Sequence, residues 1–266
     1  MDIREQFEYN PSIDLTAAQI GINKWQWETI NSEDEVRAKE FMKRNRFDVL
    51  PIINPDGRIE RFYSTRIWNN YHDLQLANIS ESDTIYYRLS FSDLIKKFHY
   101  EKKHFYFLTN VDEVLGFVSF IHLNCLVVYN YLYQVFADLE QAIANLLRDH
   151  IDQKDILDIF KNSTNKYYNK FFEDYVKAVN RGRDNSIFDY MYLPHIGKTL
   201  GKFYHILPVK YHVLNDYSQN FAADGTYNIL RNKIMHPVRP ILTDSDTISN
   251  IDILLTDFQK IKEILR

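Results

Sequence analysis

Phe47-Asp48-Val49-Leu50-Pro51-Ile52-Ile53-Asn54-Pro55-Asp56-Gly57 decides how the first half of this 266-residue chain is read. Phe47 to Ile53 is a short apolar run with β-branched residues, the pattern of a buried strand. Asn54-Pro55-Asp56-Gly57 is a turn: proline presets the entry φ, and glycine supplies the positive φ that a reversal needs. Ile59 to Ser64 is then the returning strand. Upstream, Glu33 to Asn45 has helical composition, with Val36, Ala38, Phe41 and Met42 as core positions and Asn31 or Ser32 as cap.

The same order recurs downstream. Phe91 to Tyr100 is a helix with Phe91, Leu94, Ile95 and Phe98 on one side. His104 to Leu108 is a strand, Thr109 to Glu113 a turn and Val114 to Ser119 a returning strand. Asn54 aligns with Asn110, Asp56 with Asp112 and Ser64 with Ser119, a period of roughly 55 residues. A tandem helix–strand–turn–strand repeat follows. Residues 15 to 125 thereby resemble a pair of cystathionine-β-synthase-type (CBS) domains. That resemblance implies a regulatory module with an adenine nucleotide in a cleft lined by Ser64, Thr65, Ser119 and His122. The family's aspartate, three residues past the hydroxyl, is replaced here by Ile67 and His122, and Arg66 adds a further polar group. The alternative is a purely structural pair that mediates dimerisation.

From Leu126 the rhythm turns helical. Leu132, Phe136, Leu139, Ile143, Leu146 and Leu147 keep the helical period over Leu126 to His150. Further helices are expected over Asn169 to Asn180, with Phe172, Tyr175, Val176 and Val179 inward, and over Leu193 to Tyr204, weakened by Gly201. A last helix spans Ser249 to Leu265, with a stripe of Ile251, Leu254, Leu255, Phe258, Ile261 and Leu265. No strand signal of comparable strength occurs here, so a helical bundle is expected.

Within the bundle lies Leu230-Arg231-Asn232-Lys233-Ile234-Met235-His236-Pro237. Arginine presents a fixed fork of donors to phosphate, and histidine exchanges a proton near neutral pH. Thr226 to His236 reads as a helix that Pro237 ends, with Tyr227, Leu230 and Ile234 inward and His236 at its edge. Asn232 and His236 are four apart and share a face; Arg231 and His236 are five apart and do not. Spacing alone is weak: Arg66 and His72 form a comparable pair. Arginine, a polar residue, a short spacer and histidine in a helical bundle resemble the HEPN superfamily (higher eukaryotes and prokaryotes nucleotide-binding), over residues 126 to 266. Leu139-Glu140 followed by Ile143, and the closing helix, fit the same resemblance. It implies a dimeric, metal-independent endoribonuclease of the kind found in toxin and defence systems. Arg231, His236 and Asn232 are then the catalytic set. The alternative is that Arg231 pairs with an acid such as Asp224 and His236 merely closes the helix.

Composition bounds the rest. A formal charge of −4 excludes a generic polyanion binder, so RNA must meet a local patch. Lys96, Lys97, Lys102 and Lys103 around Phe98 and Tyr100, and Arg181-Gly182-Arg183, are candidate patches; solvated ends are the simpler reading. The single cysteine, Cys125, excludes a disulfide within the chain or a cysteine-based zinc site and reads as a small buried residue. His195, His205 and His212 show no metal-ligand spacing, Asp244-Ser245-Asp246 reads as a helix cap, and Trp25-Gln26-Trp27 as packing against the repeat. No phosphate-binding glycine loop, signal peptide or long apolar run appears. The expectation is a cytoplasmic α+β chain without a membrane partner. Residues 1–125 form a CBS-like regulatory α/β pair and residues 126–266 an all-α HEPN-like bundle. Its function is a ligand-regulated, metal-independent endoribonuclease acting as a homodimer on RNA. No cofactor is required, and the regulatory ligand is an adenine nucleotide. The alternative is a non-catalytic nucleotide sensor, or an RNA- or protein-interaction module.

Overall fold

The computed structural model describes residues 14–31, 33–65, 73–111, 113–182, 186–236, 240–242 and 245–266. Ser32, Arg66, Ile67, His72, Asp112, Arg183, Pro237 and Asp244 lie outside them. The chain divides into two compact units, Met1–Val128 and Tyr129–Arg266. The first carries strands with short helices, and the second is helical among its described residues.

The first unit is a duplication. Helix α1 (Ala17–Ile20) and strand β1 (Ile22–Asn23) precede α2 (Glu35–Asn45), β2 (Val49–Ile53) and β3 (Ile59–Thr65). After β4 (Leu74–Asn78) and β5 (Thr84–Tyr86) come α3 (Phe91–Glu101), β6 (Phe105–Thr109) and β7 (Val114–Ser119). The two copies agree in small features. Both helices end in a left-handed residue, Arg46 at φ 58° and Lys102 at φ 54°. Both hairpins shift register at one place, Ile52/Ile53 and Leu108/Thr109. The equivalent core residues Ala38 and Leu94, Met42 and Phe98, Leu50 and Tyr106, and Ile52 and Leu108 are all buried. Gly57, at φ 81°, is the turn residue of the first hairpin.

Each sheet borrows a strand. β1, which precedes the first copy, pairs with β7 of the second, giving the order β1-β7-β6-β5. β4, from the connection, pairs with β3, giving β2-β3-β4. Neither exchange was legible, because β1, β4 and β5 are two to five residues long and carry little apolar pattern. Three local expectations also change. Asp34, not Asn31 or Ser32, caps α2, its carboxylate accepting from Arg37 N–H at 3.1 Å. Val36 is exposed because it falls on the outer face of α2, opposite Ala38 and Met42. Cys125 is only half-buried.

The second unit holds α4 (Leu126–His150, whose first turn belongs to the first unit), α5 (Gln153–Lys161), α6 (Lys166–Asn180) and α7 (Leu193–Phe203). Then come α8 (Ser218–Phe221), α9 (Thr226–Ile234) and α10 (Ser245–Leu265). α4 begins and ends where its period places it. On α6 the buried face is Tyr168, Phe171, Tyr175 and Ala178, so Val179 turns outward and Phe172 and Val176 flank the core. The aromatic neighbours Phe160 and His195, absent from any local pattern, draw Tyr168 and Phe171 inward. Among the described residues no helix is long and apolar enough to cross a membrane.

Candidate functional site

α9 is seated by its apolar face. Tyr227, Leu230 and Ile234 are buried, and the Tyr227 hydroxyl donates to Asp257 Oδ2 on α10 at 2.5 Å. Its entry requires a glycine: a Cβ at Gly225 would lie 2.3 Å from the carbonyl oxygens of Gln219 and Asn220. The helix ends at Ile234, so His236 lies just beyond it, its N–H donating to Lys233 O at 3.2 Å. Asn232 and His236 are both exposed.

Arg231 points elsewhere. Its Nε donates to Glu140 Oε1 on α4 at 2.8 Å, and Nη2 approaches Oε2 at 3.5 Å. The two side chains are 14 % and 12 % exposed, so little solvent reaches the pair. Glu140 Oε1 also accepts from Leu193 N–H at 3.0 Å, tying the start of α7 to the same carboxylate. The guanidinium lies over the Tyr192 ring, 4.9 Å from its centroid, where the ring's negative face attracts a cation. Burial pushes the Glu140 carboxyl above its usual range, and the Arg231 charge and the two donated hydrogen bonds pull it part of the way back. The expected fallback partner, Asp224, is thus replaced by Glu140, 91 residues distant in sequence.

Beside this pair sits a histidine that sequence reading set aside. His195 is 2 % exposed and stacks on Phe171 at 3.9 Å and on Tyr167 at 5.2 Å. Its Nδ1 accepts from Tyr192 N–H at 3.1 Å, which fixes the neutral ring with its proton on Nε2. That Nε2 has no partner among the described residues. Burial, helped by the nearby Arg231 charge, lowers its pKa to about 3. No spacing signal marks His195; only its placement beside Arg231 does.

In the first unit the nucleotide-site residues are engaged locally. Ser119 N–H donates to His122 Nδ1 at 3.0 Å, and the Ser119 hydroxyl lies 3.3 Å from the same atom. Burial holds the His122 pKa below its ordinary value. Thr65 Oγ1 donates to Asp48 Oδ1 at 3.2 Å. Ser64 shares a strand face with Phe62, and Ser119 with Phe117. Phe62, Phe105, Phe107, Phe117 and Trp27 pack ring to ring at 5.1–6.1 Å. Aromatic rings thus cover the faces that carry both serines, and Trp27 takes its expected packing role.

The remaining candidates resolve simply. Lys96 pairs with Asp93 at 3.3 Å, Lys97 with Glu101 at 2.7 Å and Lys103 with Asp83 at 2.8 Å, so the basic cluster is largely neutralised. His212 Nε2 bonds Leu207 O at 2.8 Å. Among the described residues no group of three or more His, Cys, Asp or Glu side chains is arranged to hold a metal ion. Comparison of the chain with protein-family models, with curated proteins and with solved structures finds no match.

Proposed function

We propose that the C-terminal unit is a metal-independent endoribonuclease that acts as a homodimer, with Arg231, Asn232 and His236 as its reacting set. One observation carries the reading: Arg231 is held in a single orientation by Glu140 and Tyr192 on the same short helix whose end presents Asn232 and His236 to solvent. Preorganised donors are what stabilise charge that develops in a transition state. His236 takes the proton of a ribose 2′-hydroxyl as general base. The oxygen attacks the adjacent phosphorus, Arg231 stabilises the charge on the phosphoryl oxygens, and the bond to the 5′-oxygen breaks as that oxygen takes a proton from the second copy's His236 in its protonated form. The products are a 2′,3′-cyclic phosphate and a 5′-hydroxyl. Because Arg231 faces Glu140 and His236 faces solvent, a second copy about a two-fold axis is what brings one copy's histidine to the other's arginine.

A second reading is favoured by the same pair. The Nε and Nη2 donors of Arg231 already meet a carboxylate, so its charge is balanced before any phosphate arrives. In that reading the unit is a non-catalytic binding module. For the first unit we propose an adenine nucleotide as the regulatory ligand of Ser64, Thr65, Ser119 and His122; it would have to displace the Asp48 and His122 bonds described above. One experiment separates the readings: total RNA incubated with the protein in EDTA. Cyclic-phosphate ends that disappear in His236→Ala support the nuclease; intact RNA that is nonetheless retained by the protein supports the binding module. A melting-temperature rise with adenine nucleotides tests the first unit.

A further inference from the structure

An open groove of ≈ 770 Å3 runs along α7 between α5 and α8, away from Arg231, Asn232 and His236. Lys198 and Lys202 line it from α7, and their spacing of four puts both ammonium groups on one helix face. Lys198 is partly buried, its Nζ 4.8 Å from the centre of the Tyr168 ring, which holds it in place. The floor is made by glycines. A Cβ at Gly197 would lie 2.6 Å from Ser218 O, so α8 approaches the α7 backbone there as only glycine permits. One turn on, a Cβ at Gly201 would meet only Ser218, at 3.9 Å from its Cβ and Oγ. Ser218 lines the groove, is 7 % exposed, and its hydroxyl has no hydrogen-bond partner among the described residues. A hydroxyl that opens into a groove without an intramolecular partner is free to donate to a ligand oxygen. Asp158 stands on the α5 side and is the one acid in the lining, leaving the groove with one net positive charge.

We infer that this groove binds a phosphate ester, with Ser218 Oγ donating to a phosphoryl oxygen and Lys198 and Lys202 balancing its charge. Its volume lies in the range of small-ligand sites and accommodates a nucleotide unit. The same chemistry is offered by a free mononucleotide and by one stretch of an RNA strand. The inference is independent of the cleavage reading, since none of the lining belongs to the Arg231–His236 set.

Calorimetric titration of the full chain with uridine 5′-monophosphate, which lacks the adenine proposed for the first unit, and separately with a short 2′-O-methyl single-stranded RNA that cannot be cleaved, tests it. Binding of the mononucleotide that the lysine substitutions weaken assigns a free nucleotide; binding of the RNA alone that they weaken assigns a strand. For the probe that binds, Lys198→Ala with Lys202→Ala weakens affinity about tenfold or more, and for RNA lowers the salt dependence by roughly 0.7 per lysine. Ser218→Ala weakens binding about threefold, and Asp158→Asn tightens it. Should Ser218→Ala fail to fold, Gly201→Leu, which covers the hydroxyl from a position with room for a side chain, takes its place. Cleavage of unmodified RNA is scored separately on the same groove variants, so loss of cleavage and loss of groove binding are read separately. The inference is overturned if neither probe binds at millimolar concentration, or if the folded double-lysine variant binds as tightly as wild type.

Discussion

The polar residues around Arg231 and those around Ser119 show two ways in which a fold satisfies a side chain. Ser119 finds His122 three residues away, and Thr65 finds Asp48 just before the adjacent strand β2. Arg231 finds Glu140 from another helix 91 residues distant, and Glu140 in turn holds the start of α7. Local pairs are replaceable, because the chain around them holds its shape without them. The distant pair joins three helices, so its loss is felt by all three. A residue chosen from sequence for its chemistry therefore has to be judged by what it holds as well as by what it displays.

Glu140→Ala breaks this comparison most directly. It leaves a poorly solvated guanidinium and the Leu193 N–H without their acceptor, and about 3–4 kcal/mol of stability is expected to be lost. Urea unfolding measures this, and a loss below about 1 kcal/mol would mean that Arg231 relaxes into solvent.

The next effect is one of pH. His195 is neutral when folded, with a pKa near 3, whereas an unfolded histidine titrates near 6.5. The lowered folded value makes its contribution fully present above pH 6.5 and progressively lost as pH falls toward 3. The slope attributable to this one residue reaches about 1.4 kcal/mol per pH unit. His195→Phe keeps the stacking on Phe171 and removes the titration. Its stability should vary less steeply than wild type between pH 6.5 and 4, and an unchanged slope would assign the pH sensitivity to other groups.

Smaller again is His122→Ala, which removes the acceptor of Ser119 N–H and is expected to cost about 1 kcal/mol. The comparison sharpens if Glu140→Ala exceeds it severalfold in parallel melts. Least in stability is His236→Ala: an exposed residue beyond a helix end should shift stability by less than about 0.5 kcal/mol. RNA cleavage, where wild type shows it, should nevertheless be lost. A large fall in melting temperature on this substitution would place His236 with Arg231 as a residue that holds the fold.

The sequence by itself determined the elements that rest on local periodicity and turn chemistry. The α2–β2–β3 and α3–β6–β7 copies, the extent of α4 and the buried face of α9 follow from apolar spacing and from Asn54-Pro55-Asp56-Gly57. Those signals act over a few residues and are written in the chain beside the structure they cause. Only the tertiary structure decided that β1 crosses into the second copy's sheet and that β4 from the connection extends the first, since strands so short are stabilised by the edge they join rather than by their own pattern. It also decided that α6 buries Tyr168 and Phe171 rather than Phe172 and Val179, because rings from α5 and α7 wait on that side. And it alone brought Glu140 and His195 to Arg231. A buried charge must find its partner, but the partner's position in the sequence is set by how helices pack, and no spacing within one helix records it.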